Sequence, residues 1–242
     1  MEEYNAGTYG KRHAEIYDEF NTTYDPACVE MLAELSQGGL ALELGIGTGR
    51  IALPLFEKGV SVQGIDASNE MLDKLRAKPG GTEIDLVTGS FAQFDLQKQF
   101  SLVYVVYNTF FALLSQSEQV RCFKSVKKHL SPEGVFVIEA FVPDPCRYEN
   151  GQTIRAVRLT EKDAIFDISQ FNPERQIVTT QHVWLSQEGF HLYPVKLRYA
   201  WPSELDLMAQ LAGLSLRHRW SSWSKKPFTR ASHKHISVYS LA

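Results

Sequence analysis

Cysteine is scarce in this 242-residue chain: Cys28, Cys122 and Cys146 are an odd set with no Cys-x-x-Cys spacing. That excludes a disulfide framework and a structural zinc site of the usual kind, no metal is expected, and a reducing cytoplasm is the expected location. No run approaches the roughly 18 apolar residues that a membrane span requires. The opening Met1-Glu2-Glu3-Tyr4-Asn5 is acidic and polar where an export signal would be apolar. No membrane partner is therefore expected. Basic residues are not massed anywhere: 25 Lys and Arg face 28 Asp and Glu, and the densest clusters, 124–128 and 217–219, are short solvated faces. Without a concentrated positive field, nucleic acid is not the expected partner either. Internal repeats and low-complexity tracts are missing too. At 44% hydrophobic and 22% charged residues, the composition is that of a folding globular chain.

What the chain does contain is a rhythm. Helical spacing over 28–35 stops at Gln37-Gly38-Gly39, and the apolar run Leu40-Ala41-Leu42-Glu43-Leu44 then ends in glycines before helical spacing returns over 51–58. The unit repeats as a strand over 60–65 and a helix over 67–77, opened by the capping residue Ser68. Strands at 84–88, 101–107 and 135–141 and a helix at 118–130 continue it. Such alternation predicts right-handed crossovers and a parallel sheet covered on both faces. From about Thr153 the pattern changes. Strand-like stretches at 164–171, 177–185 and 192–201 follow one another, separated by the turns Asn172-Pro173-Glu174-Arg175 and Gln187-Glu188-Gly189. Hairpin-connected strands cannot extend a parallel sheet, so they predict a small antiparallel layer over it. Pro202 then opens a helix that Gly213 closes, and strands at 214–220 and 235–241 rejoin the first sheet. The expected division is a core of 1–152 with 202–242 and an inserted lid of 153–201.

The chemistry is concentrated in Leu42-Glu43-Leu44-Gly45-Ile46-Gly47-Thr48-Gly49-Arg50. Glycines at alternate positions between a strand and a helix let backbone approach a nucleotide-like ligand closely. Asp66 ends the second strand 21 positions after Gly45, where an acid accepts hydrogen bonds from both ribose hydroxyls. A dinucleotide fingerprint requires a third glycine where this chain has Arg50, which disfavours a nicotinamide oxidoreductase.

The Glu-x-Gly-x-Gly-x-Gly form instead resembles the first motif of the Rossmann-like S-adenosylmethionine-dependent methyltransferases. Gly64-Ile65-Asp66-Ala67-Ser68 with Met71-Leu72 is similar to that family's second-strand signature, Phe100-Ser101-Leu102-Val103-Tyr104 to its fourth strand, and Leu130-Ser131-Pro132-Glu133-Gly134 to the turn before its fifth. A narrower likeness, through Asn108-Thr109-Phe110-Phe111, the lid strands and residues 204–214, is to bacterial small-molecule N-methyltransferases. The resemblance implies an α/β fold: a seven-stranded, mostly parallel sheet with helices on both faces and a small antiparallel β lid. It implies S-adenosylmethionine as cofactor, bound by Tyr17, Glu43, Gly45, Gly47, Gly49, Asp66, Ala67, Met71, Ser90, Phe91 and Tyr107. Gly89-Ser90-Phe91 departs from the family at the position of an acid that receives the adenine amino group, which leaves the weaker Ser90 hydroxyl or the Phe91 amide for that task.

Side chains at the carboxyl ends of parallel strands face the ligand crevice, which makes Tyr107, Asn108 and Phe141 the candidate acceptor-pocket residues. His191, in the lid, is the best placed histidine for proton transfer. The same residues admit plainer roles: Tyr107 as packing, His191 as a partly exposed strand residue, His13 as a helix surface residue four positions before Tyr17, and Glu139 as a satisfied core acid. No histidine–carboxylate pair is evident. The expected reaction is methyl transfer to an amine or hydroxyl of a small molecule. An S-adenosylmethionine-binding cyclase or regulator is the alternative.

Overall fold

The computed structural model describes residues 7–21 and 23–242; the opening 1–5 discussed above lie outside them. Two short helices, α1 (Thr8–His13) and α2 (Tyr17–Phe20), precede α3 (Pro26–Ser36), β1 (Ala41–Leu44), α4 (Ala52–Glu57), β2 (Val62–Asp66), α5 (Asn69–Arg76), β3 (Asp85–Thr88), β4 (Phe100–Val105), α6 (Gln116–His129) and β5 (Leu130–Phe141). β6 (Gln152–Leu159), β7 (Asp163–Asn172), β8 (Ile177–Ser186) and β9 (Gly189–Arg198) come next, then α7 (Pro202–Ala212), β10 (Leu214–Trp220) and β11 (Lys234–Leu241). Local chemistry sets several boundaries. Asp25 caps α3 by accepting from the Ala27 amide at 3.0 Å, Ser68 caps α5, and Ser115 with Glu118 forms a reciprocal capping box on α6.

Seven strands form one sheet in the order β10-β11-β5-β4-β1-β2-β3. Neighbours from β5 to β3 run parallel, and β11 is antiparallel to both β5 and β10. β1 is buried along its whole length, as expected of a central parallel strand. One face is packed by α3, α4 and α5 through residues such as Leu32, Leu55 and Leu72. The other is packed by α6 and α7 through Phe123 and Met208, which join Phe136 of β5, Tyr239 of β11 and Phe110 of the turn after β4. The turn expected before the fifth strand is absorbed into β5 as an irregularity: Phe100 pairs with Leu130 and Leu102 already with Val135.

The lid is a separate sheet of four strands, β6-β7-β8-β9, where the sequence pattern indicated three. β6 escapes pattern recognition because a bulge between Ala156 and Arg158 breaks its alternation. Pairing places Ile154, Ile168, Leu185, Phe190 and Leu192 on the outer face, all exposed. Asp167, His182, Trp184 and Tyr193 share the inner face. Buried Arg198 ties the root of the lid to the core, donating to Gln119 at 2.6 Å, Gln176 at 2.7 Å and Glu204 at 2.9 Å. The N-terminal helices bridge the two sheets. Gly10 lets α1 lie directly on Ser68 and Met71 of the α5 turn, where any side chain would collide with them. Phe20 meets Trp184 of the lid edge-on at 5.5 Å. Among the described residues, no helix is long and apolar enough to cross a membrane.

Candidate active site

After β1 the backbone folds back over β2, with the Gly45 and Ile46 amides both donating to the Ile65 carbonyl, at 2.8 and 3.0 Å. Gly45 has a φ of 71°, and a Cβ there would strike the Thr109 side chain. At Gly47, φ is 56° and an added Cβ would meet nothing within 4 Å, so the loop presents open backbone to the crevice. Asp66 holds this shape: one carboxylate oxygen accepts from the Gly47 amide at 2.8 Å, the other from the Ser68 amide at 2.9 Å. Burial raises the Asp66 pKa, those backbone bonds opposing the shift. Glu43 is 3% exposed and accepts from the Tyr104 hydroxyl at 2.9 Å. Burial pushes Glu43 up to about 8 against that bond and the charge of Arg50.

Arg50, which entered the sequence argument only as a missing glycine, is central here. Its guanidinium carbon lies 3.4 Å from the centre of the Tyr107 ring and 5.8 Å from that of Tyr17. Nη1 donates to Asn21 at 3.1 Å, and Nε is buried without a hydrogen-bond partner. A guanidinium held on two aromatic faces with an unused donor is prepared for an anionic ligand group. The signal available in the sequence was its place in the first turn after the glycine loop, where backbone amides also favour anions.

The strand ends expected to form the acceptor pocket come together. Tyr107 and Asn108 both take left-handed φ, 53° and 66°, which costs on the order of 1–3 kcal/mol each and persists only where surroundings enforce it. Glu139 enforces it, its side chain accepting from the Tyr107 amide at 3.1 Å and its carbonyl from the Asn108 amide at 3.2 Å. Trp223 and Lys234 hold the same carboxylate, at 3.1 and 2.7 Å, so Glu139 is a buried, satisfied, orienting acid. The Asn108 amide oxygen accepts from the Phe141 amide at 2.7 Å, which fastens the end of β4 to the end of β5. Ala67 follows Asp66 directly, and Met71, in the first turn of α5, is buried beneath α1. Ser90 is exposed, its hydroxyl accepting from the Ala92 amide at 3.2 Å, and Phe91 is buried beside it.

On the lid side the histidines rearrange the expectation. His191 is exposed on β9, its ring 5.8 Å from Trp184 and 6.3 Å from Tyr193. A histidine–carboxylate pair, unseen in the sequence, is formed by His182 and Asp167, whose atoms lie 2.5 Å apart across β7 and β8. The signal was there: hairpin partners sit equally far from the turn at 173–176, and these two do. His13 is not on a helix surface but 5% exposed between Tyr9, with ring centroids at 4.0 Å, and Tyr193, at 5.5 Å. Burial pushes His13 down to about 4, against its backbone bond to Tyr9. Tyr17 is raised by burial, with Arg50 opposing. Asp18 joins the N-terminal helices to the glycine loop, accepting from the Thr48 hydroxyl at 2.6 Å and pairing with Lys78 at 2.8 Å.

A glycine cradle pinned by an acid, at the carboxyl edge of this sheet order, is the arrangement by which a Rossmann-like fold takes a nucleoside cofactor. A family model described as a methyltransferase domain matches residues 41–134. The solved CcbJ methyltransferase of Streptomyces caelestis is 38% identical over 99% of this chain and 100% of its own, with a TM-score of 0.93. The cypemycin N-terminal methyltransferase of a Streptomyces species is 26% identical over 95% of this chain and 96% of its own. The S-adenosylmethionine-bound CalS10 of Micromonospora echinaspora, an amino pentose methyltransferase, shares the fold at 18% identity, 93% and 95% coverage and a TM-score of 0.69. The chain belongs to the class I S-adenosylmethionine-dependent methyltransferases, and S-adenosylmethionine is its cofactor.

The residues present fit that cofactor. The open backbone at Gly47 and the carboxylate of Asp66 suit the adenosine, buried Glu43 suits a cationic centre, and the unpartnered Arg50 Nε suits the amino-acid carboxylate.

Proposed function

We propose that the enzyme methylates an amine of a small molecule held between the ends of β4 and β5 and the inner face of the lid. The observation that carries this is the state of the strand-end side chains. The face of Tyr107 is covered by Arg50 and burial pushes its hydroxyl up to about 12, while the Asn108 oxygen is engaged by the Phe141 amide. Neither is a base at neutral pH, and an amine, nucleophilic once neutral, needs none. Bound S-adenosylmethionine supplies an electrophilic methyl on a sulfonium. The chain's own task is to hold donor and acceptor in line and exclude water. In this reading Glu43, the loop glycines, Asp66, Ala67, Met71, Ser90, Phe91, Arg50 and Tyr17 hold the cofactor. Tyr107, Asn108 and Phe141 shape the acceptor's approach. The relatives named for N-methyl transfer support the amine.

The test is a pH–rate profile of wild type and His191→Ala over a panel of amines and alcohols, read as S-adenosylhomocysteine formation. Rates that follow the acceptor's own ionisation and survive the substitution are expected. Turnover that ignores acceptor ionisation and collapses about a hundredfold in His191→Ala, or in His182→Ala, which removes the Asp167-paired imidazole, would replace this reading with base-assisted O-methylation.

A further inference from the structure

Resting on the reading of the lid as the acceptor's wall, we infer that His13 and His182 form a two-imidazole seat. It accepts hydrogen bonds from N–H and O–H groups of the methyl acceptor. His13 Nδ1 lies 2.8 Å from the Tyr9 carbonyl, which can only accept, so Nδ1 carries the proton and Nε2 keeps its lone pair. That Nε2 is buried and without a partner. Buried acceptors are satisfied in nearly all folds, and a ring needed only for packing would be served by phenylalanine. His182 repeats the logic from the opposite side: its Nδ1 donates to Asp167, leaving Nε2 as an acceptor on a ring 38% exposed. The two rings meet edge-on, with centroids 6.3 Å apart.

The surroundings keep the seat an acceptor of donors. Tyr9 and Tyr193 supply its aromatic walls. The charged neighbours are Arg12 beside His13, Glu15 and Glu19 beside Tyr193, and Arg155 paired with Asp167 at 3.4 Å. Burial raises the Asp167 carboxyl, but the hydrogen bond from His182 together with the hydrogen bond and charge of Arg155 holds the group below the usual range. Asp167 is therefore an ionised partner that fixes the His182 tautomer, a positioning role. The chemistry that fits two imidazole acceptors on facing elements is an amine carrying a neighbouring hydroxyl.

The test follows the C2–H signals of the seven histidines by NMR in the full chain loaded with S-adenosylhomocysteine. The probes are trans-2-aminocyclohexanol, cyclohexylamine and cyclohexanol, with His13→Phe and His182→Phe assigning the signals and His182→Gln as a milder variant. The expected result is that the His13 and His182 signals move with the aminoalcohol and less with either single-donor probe. The other histidines should stay in place, and His182→Phe should weaken the response of His13 about tenfold or more, with partial rescue by His182→Gln. Silence of both signals with all three probes, or an equal shift of all seven, overturns the seat. Methyl transfer to the same amine, measured separately, distinguishes the two proposals. Transfer without a histidine response removes the seat alone; a histidine response without transfer to any amine removes the amine reading alone.

Discussion

The two halves of the proposed site are built differently. Apart from Arg50 and Tyr17, the proposed cofactor half is made of short contiguous pieces, a glycine loop, an acid 21 positions after Gly45 and a turn at Ser90, held by side-chain-to-backbone bonds at the sheet edge. The acceptor half has no such local frame. His13 comes from α1 and Asp167 and His182 from neighbouring lid strands, and they meet only because separate parts of the chain dock, while Tyr107 is set by Glu139 after β4. A half built from local motifs tolerates changes elsewhere, whereas a half built by docking depends on every surface between its parts.

The largest expected effect tests the independence of the cofactor half. Asp66→Ala removes the acceptor of the Gly47 and Ser68 amides together with the proposed ribose partner, and should weaken S-adenosylmethionine by about 1–3 kcal/mol, roughly five- to 150-fold. The acceptor KM should stay within about twofold. Calorimetry that finds unchanged cofactor affinity rejects the assignment, and a KM that rises as steeply as the cofactor Kd dissolves the division into halves.

The mirror experiment is Tyr193→Ala, which opens the wall against His13. Acceptor KM should rise about tenfold, in line with the loss of one well-packed aromatic group at a binding surface, while cofactor Kd is unmoved. Equal effects on both constants would mean that the lid shapes the cofactor site as well.

How much of this was legible follows the same division. The alternation of strand and helix, the cradle and the acid were readable because each is a local pattern: Ser68 caps where it was expected and Gly213 ends α7 with a φ of 81°. The fourth lid strand was hidden by one bulge in β6. The burial of His13 was hidden because periodicity shows which residues share a helix face and not what a lid residue 180 positions away will cover. Arg50 was visible as a residue and unreadable as a role, since its neighbours Tyr17 and Tyr107 lie on either side of it in the chain and meet it only in the fold.

A third effect, of intermediate size, is a pH dependence confined to the cofactor half. The fold raises Glu43 from 4.5 to about 8, so between those values the cofactor-free protein holds a proton that the unfolded chain has released. Stability from this group is therefore present at the acid end and lost as pH rises towards 8. A cationic cofactor centre beside Glu43 favours the carboxylate, so binding near pH 7 should release protons, and affinity should climb with pH before levelling above about 8. Calorimetry in two buffers of different ionisation enthalpy reads this directly. Identical apparent enthalpies at pH 7 would show that Glu43 is already ionised or stays protonated on binding.

The smallest effect is the one that joins the halves. Thr48 belongs to the glycine loop and Asp18 to the N-terminal segment that carries His13, and their hydrogen bond at 2.6 Å is supported by Lys78, which reaches both the Asp18 carboxylate and the Thr48 carbonyl at 2.8 Å. Burial raises Asp18, but its bonds to Lys78 and Thr48 outweigh that and hold it low, so the contact is charge-assisted. It is also half exposed, and partial solvent screening keeps its worth to about 0.5–1 kcal/mol. Thr48→Val removes the hydroxyl and keeps the shape. Because the bond lies between the halves, its loss should move both constants by only two- to fivefold: cofactor Kd through the loop, acceptor KM through the loosened α1 and α2. Asp18→Asn should act in the same direction, and in a double-mutant cycle the two changes should be non-additive. If Thr48→Val shifts the cofactor constant alone, the N-terminal helices dock on the core without help from the loop, and the two halves are more independent than their shared hydrogen bond suggests.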